Sequence, residues 1–183
     1  MNKKIYNLIL CSISVCILVV FSWINIPFPI PITLQLIAVF VISGLFDWKI
    51  SITSIAAYII LGIIGLPVFS SFNGGLAFLF GPTGGYIISF LIVPFITLLF
   101  KKVFNNSNTC SLIVSFIVSL LLIYTIGTLW YLEFAEIAVS HITFTSIIMI
   151  TVVPFIFVDT LKIIISVFSI KKLRKILVEK TKI

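Results

Sequence analysis

Asp159 and Lys162 stand three residues apart inside an apolar run, Pro154-Phe-Ile-Phe-Val-Asp159-Thr-Leu-Lys162-Ile-Ile-Ile. On a helix, residues at i and i+3 share one face. Charged side chains at membrane depth cost about 2.5–3.5 kcal/mol each on insertion scales, so they turn toward a protein interior or a water-filled cavity. A carboxylate that accepts hydrogen bonds and an ammonium that donates them make a recognition pair for a polar ligand. The competing reading is an ion pair that only fixes helix packing, with desolvation offsetting much of its attraction.

A second candidate segment is 67–83, Pro-Val-Phe-Ser-Ser-Phe-Asn-Gly-Gly-Leu-Ala-Phe-Leu-Phe-Gly-Pro-Thr, which runs into Gly84-Gly85-Tyr86. It holds Gly74, Gly75, Gly81, Gly84 and Gly85, five of the nine glycines. Glycine permits close backbone approaches that a side chain forbids, and non-helical backbone near membrane depth survives only where protein or a cavity shelters it. The segment is therefore expected to form a lid over a pocket, or else a turn that packs helices closely. A phosphate loop is excluded, because G-x-x-x-x-G-K-[ST] is absent and no Lys follows the glycines. Asn73 offers both acceptor and donors, although Asn before Gly is also an ordinary turn residue. Pro27, Pro29 and Pro31 punctuate a third segment. Pro31 is expected to open a helix, placing Thr33 and Gln35 near its end as ligand contacts or as interhelical hydrogen-bonding groups.

Little else in the chain carries chemistry. His141 lies near Glu133 and Glu136 without metal-ligand spacing, so no metal is assigned. Cys11, Cys16 and Cys110 show no CxxC and sit in apolar runs, as small packing residues do. An enzyme would need a Ser/His/Asp set, a His-rich metal motif or paired carboxylates inside the bilayer, and Asp159 is the only acid there. The net charge of +7 comes without an aromatic-and-basic groove or recognition helix, which excludes a nucleic-acid partner.

The elements that position these groups follow from composition. The 183 residues are 61% hydrophobic and 9% charged, against roughly a quarter charged in soluble domains, so the chain is expected to be an all-α integral membrane protein. A span takes roughly 20 apolar residues, and six candidates occur at 5–25, 31–46, 50–66, 84–100, 110–131 and 146–170, followed by a basic tail, 171–183. All belong to a single transmembrane domain. The second and third are short and separated by Asp47-Trp48-Lys49, which predicts a tight helical hairpin. The N-terminus resembles a signal peptide but lacks a small-x-small cleavage site and is read as a retained helix. Connections 26–30, 67–83 and 132–145 contain no Lys or Arg. Lys3, Lys4, Lys49, Lys101, Lys102 and the basic run Lys171-Lys-Leu-Arg-Lys175 fall on the opposite side. The positive-inside rule then puts both termini in the cytoplasm. Trp130, Tyr131 and Glu133 mark the outer end of the fifth helix, as interfacial aromatics do.

Four blocks, Phe28-Pro-Ile-Pro-Ile-Thr-Leu-Gln35, Gly65-Leu-Pro-Val-Phe69, Gly81-Pro-Thr-Gly-Gly-Tyr86 and Pro154-x4-Asp159-x2-Lys162, together resemble the BioY family. These are the biotin-specific substrate-binding (S) subunits of energy-coupling factor (ECF) transporters. The resemblance covers residues 26 to 175 and implies a six-helix, ECF S-component-like bundle with an outward-facing pocket. It further implies a plasma-membrane protein of a bacterium, no cofactor, and biotin as the transported ligand. Its partners would be a transmembrane coupling (T) subunit and two cytoplasmic ATPases. Biotin has an apolar bicyclic ring, a ureido group and a valerate carboxylate. Asp159 would accept from the ureido N–H groups, and Lys162 would donate to the ureido carbonyl or neutralise Asp159. Asn73, Gln35, Gly84, Gly85 and Tyr86 complete the expected site, with Tyr86 and the loop's Phe residues walling the ring. The sequence departs from the family where Ser89 replaces a frequent Gly. It also lacks the Ala-x3-Ala-like docking patch on the first helix, where Ser12 and Cys16 stand at that spacing. No Arg lies in the membrane region, so Lys162 must supply any intramembrane cationic contact. An S component for another vitamin, a membrane enzyme and a structural adaptor are the alternatives.

Overall fold

The computed structural model describes residues 2–28, 30–104, 108–138 and 144–181. Helix α1 spans Lys3–Trp23 and opens where the Asn2 side chain accepts the Lys4 amide at 3.1 Å, an N-cap that satisfies one of the orphan first-turn donors. Two further helices, α2 (Gln35–Leu45) and α3 (Trp48–Ile63), form the expected hairpin, with the Asp47 carboxylate capping α3 through the Trp48 amide at 2.9 Å. Pro31 does not open α2. Ile32–Thr33 (β2) instead pairs antiparallel with Asn25–Ile26 (β1), in the register Asn25↔Thr33 and Ile26↔Ile32. The Leu34 amide then donates to Ile24 O at 3.1 Å. These ladder bonds compete with helix for the same backbone groups, so the helix begins at Gln35.

After α3 the glycine-rich segment is not simply coil. Ser70–Phe72 makes a turn of 3-10 helix and Leu76–Leu79 (α4) a single helical turn. Gly75 has φ +93°, in the region that favours glycine, whereas Ser71 (φ 55°) and Phe72 (φ 60°) occupy it with side chains attached. The next span is broken: α5 (Gly84–Ser89) passes through a 3-10 turn at Phe90–Ile92 into α6 (Val93–Val103), which carries Pro94 in its first turn. Helix α7 runs Thr109–Ala138. The final span breaks as well, into α8 (Phe144–Thr151) and α9 (Val153–Thr181). Pro154 lacks the N–H needed to continue the ladder, which accounts for the interruption just before it.

Four stretches, Lys3–Trp23, Gly84–Val103, Thr109–Phe134 and Thr145–Ile176, are long and apolar enough to cross a bilayer, and α2 and α3 are shorter apolar helices. The chain is a multi-pass membrane protein. Its lipid-type surface shows in the exposed Leu8, Ile13, Phe157 and Phe168. The protein core lies around α2, where Phe40 stacks on Phe116 of α7 with centroids 4.5 Å apart, and where α9 packs along the other side. At the basic end, Lys101 Nζ donates to the carbonyls of Ser43 (3.3 Å) and Gly44 (3.1 Å), and Arg174 donates to Gly44 O at 2.6 Å. Two cations from two helices thus meet the partial negative charge of the α2 C-terminus.

Candidate functional site

Between α2, α5, α7 and α9 lies a cavity with about 650 Å³ of empty volume, counting its open mouth. Its wall is mostly apolar, with Leu36, Ile87, Phe90, Ile123 and Phe155 among the lining residues. Helix α9 delivers Asp159 and Lys162 to this wall, each 4% exposed. Lys162 Nζ lies 2.6 Å from Asp159 Oδ1. The other carboxylate oxygen accepts from the Tyr124 hydroxyl of α7 at 2.7 Å. The acid, the ammonium and the phenol therefore form one charge-assisted network, and the carboxylate's remaining lone pairs leave room for further donors.

Gln35 reaches the same cavity from the first turn of α2. It is 4% exposed, and its Nε2 lies near the Tyr58 hydroxyl without meeting hydrogen-bond geometry. A buried donor without a partner costs about 1–3 kcal/mol, and a ligand acceptor would relieve that cost. Tyr86 of α5 lines the cavity too. Its hydroxyl lies 3.3 Å from Thr128 Oγ1, which lies 3.1 Å from Thr151 Oγ1 at the end of α8. Asp159, Lys162, Gln35 and Tyr86 are thus brought together from three helices.

Asn73, Gly84 and Gly85 are not brought to this cavity. Asn73 lines a neighbouring outer cavity, and its Nδ2 donates to Ser70 O at 2.9 Å. A Cβ on Gly84 would strike the Leu79 carbonyl, and one on Gly85 the Trp130 side chain. Both glycines serve close packing of α5 against α4 and α7. Within Leu120-Leu-Leu-Ile-Tyr124 the tyrosine reads from the sequence as part of an apolar span. A signal existed, since a phenolic hydroxyl at membrane depth needs a buried partner. Thr83 and Ser70, which read from the sequence only as loop, edge both cavities. His141 and Pro29 lie outside the described residues, as does the side chain of Glu136. Among the described residues no group of three His, Cys, Asp or Glu side chains is placed to hold a metal ion.

A family model described as the BioY family matches residues 1–179. The biotin transporter BioY2 of Lactococcus lactis subsp. cremoris is 33% identical over 178 residues, covering 94% of this chain and 93% of its own. The biotin transporter BioY of Thermotoga maritima is 32% identical, covering 95% and 99%. Among solved structures, the S-component for biotin from an ECF-type ABC transporter superposes with a TM-score of 0.84 at 27% identity, covering 95% of this chain and 93% of that one. The relatives are transport proteins, not enzymes.

Proposed function

The chain belongs to the BioY family, and from that premise we propose that it captures biotin at the outer face of the plasma membrane as the S component of an ECF transporter. The observation that carries this reading is the network of Asp159, Lys162 and Tyr124 on the wall of an otherwise apolar cavity. A bicyclic ring needs that apolar wall, and a ureido group needs both an acceptor and a donor beside it. Asp159 accepts the ureido N–H groups, Lys162 donates to the ureido carbonyl, and the unpartnered Gln35 amide supplies a further donor. Tyr86, Phe90 and Phe155 enclose the ring.

The same reading puts Lys101, Arg174 and both termini on the cytoplasmic side, in keeping with the positive-inside pattern, so the cavity mouth beneath the glycine-rich segment faces out. The chain contains no nucleotide-binding motif, so the energy for inward delivery comes from elsewhere. The family implies a transmembrane coupling subunit and two ATPases as the source. Purified protein extracted in mild detergent should carry biotin detectable by mass spectrometry. It should also bind biotin more tightly than any other member of a panel of water-soluble vitamins in equilibrium dialysis. Tighter binding of another vitamin, or no biotin binding, overturns the assignment.

A further inference from the structure

The main cavity adjoins a second, outer cavity of about 630 Å³ empty volume, counting its open mouth, and the two share Pro31, Ser70 and Thr83. The outer one is walled by Phe28 and Phe78 and edged by the polar side chains of Ser71 and Asn73. Neither cavity offers a spare positive charge. Among the described lining residues Lys162 is the one cation, and it sits 2.6 Å from Asp159. Two backbone donors beside the rim are engaged as well: the Gly84 amide donates to Gly81 O at 3.1 Å, and the Tyr86 amide donates to Thr83 O at 3.2 Å. A carboxylate entering the outer cavity would lose hydration with no cation to replace it, which disfavours burial of its charged form. An amide entering the same space would meet aromatic walls, hydroxyls and the free Asn73 Oδ1, groups suited to an uncharged polar chain.

We propose that the outer cavity is a subsite for the uncharged, amide-extended tail of a biotin conjugate. The protein then takes tail-neutral conjugates as readily as the free acid. This rests on the biotin reading: Asp159, Lys162 and Tyr124 hold the ring system in the inner cavity, and the side chain of the ligand points to the shared rim. The charge at its end contributes little to affinity because no cation in the rim pairs with it.

Equilibrium binding to the purified full chain tests this with three ligands: biotin, its primary amide, and its N-butyl amide, whose extended tail carries no charge. All three should bind within about fivefold of one another, a difference of about 1 kcal/mol. A bulky Ala77→Trp substitution in the outer cavity should weaken the N-butyl amide at least about fivefold more than it weakens biotin. Loss of more than about fivefold on converting the acid to its amide means that a charge holds the tail, and overturns the proposal. So does equal weakening of biotin and conjugate by Ala77→Trp. A protein that binds none of the three overturns the biotin reading itself, which is a separate outcome.

Discussion

Replacing Asp159, Lys162 and Tyr124 singly and together separates a binding site from a packing device. Asp159→Asn leaves the Lys162 ammonium 4% exposed with its anion gone. Breaking a buried pair in this way costs about 3–5 kcal/mol. On the scale of soluble domains of this size, that corresponds to a fall in Tm of about 6–20 °C. The triple variant Asp159→Leu/Lys162→Met/Tyr124→Phe removes the acid, the cation and the hydroxyl that would otherwise lose its 2.7 Å acceptor. Replacing a whole buried network by apolar groups is often neutral, or stabilising by about 1–4 kcal/mol, so its Tm should return to that of the parent or exceed it. Its biotin affinity should not return. Each charge-assisted hydrogen bond lost to the ligand is worth about 1.5–3 kcal/mol, or about 10- to 150-fold in Kd. Loss of two such bonds puts binding at least about 100-fold weaker. Thermal unfolding in detergent and equilibrium dialysis with labelled biotin read the two quantities on the same preparation. A triple variant that is as stable as the parent and binds biotin within about tenfold of it would refute the assignment, leaving the network a packing feature.

Gln35→Leu should raise the Tm of the ligand-free protein, because it removes a buried donor that has no partner, while weakening biotin by about tenfold or more. Paired melting curves with and without biotin check both signs. Gly84→Ala should sharply lower the yield of folded protein, since the new Cβ meets the Leu79 backbone carbonyl. Gly44→Ala should be milder, because its Cβ meets the movable end of the Ile170 side chain; size-exclusion profiles and Tm compare the two. Lys101→Met/Arg174→Met should lower the Tm without changing biotin affinity more than about twofold, because both cations grip the α2 C-terminus rather than the cavity. A large affinity loss in that variant would show the α2 cap coupled to the site.

The membrane class and the broad helical plan were legible because lipid imposes them on composition: long uncharged runs have no other stable environment. Asp159 and Lys162 were legible for the same reason, since an ionisable group in such a run must find shelter. What the sequence did not reveal depends on rotation and register. Tyr124 meets Asp159 across 35 positions of chain, and only the packing of α7 against α9 supplies that contact. Lys101 and Arg174 look like solvated loop cations until three helices are seen to converge on Gly44 O. Pro31 reads as a helix opener because its local chemistry suits one, yet the pairing of Ile32–Thr33 with Asn25–Ile26 prevails by using the same backbone groups. Gly84 and Gly85 were ambiguous in principle. The missing side chain that would let a ligand approach also lets a neighbouring helix approach, and one sequence does not say which.

That ambiguity points to how the site is held. Its polar groups come from separate elements: Gln35 from α2, Tyr86 from α5, Tyr124 from α7, and Asp159 with Lys162 from α9. No local motif fixes their mutual distances, so the helix spacing must. The spacing of α5 from α7 is set by glycine on both sides, because a Cβ on Gly85 would strike Trp130 and one on Gly127 would strike the Tyr86 ring. With Gly127 bare, the Tyr86 ring lies against α7 and its hydroxyl reaches Thr128 one residue further on. Trp130 in turn donates to Gly81 O at 2.9 Å, tying the glycine-rich segment to the same helix. Of the two glycines that the sequence suggests as ligand contacts, Gly84 lets α5 approach Leu79 of α4. Gly85 lets α5 approach α7 closely enough that Tyr86 and Tyr124 face one cavity, and the cavity wall moves if that approach is lost.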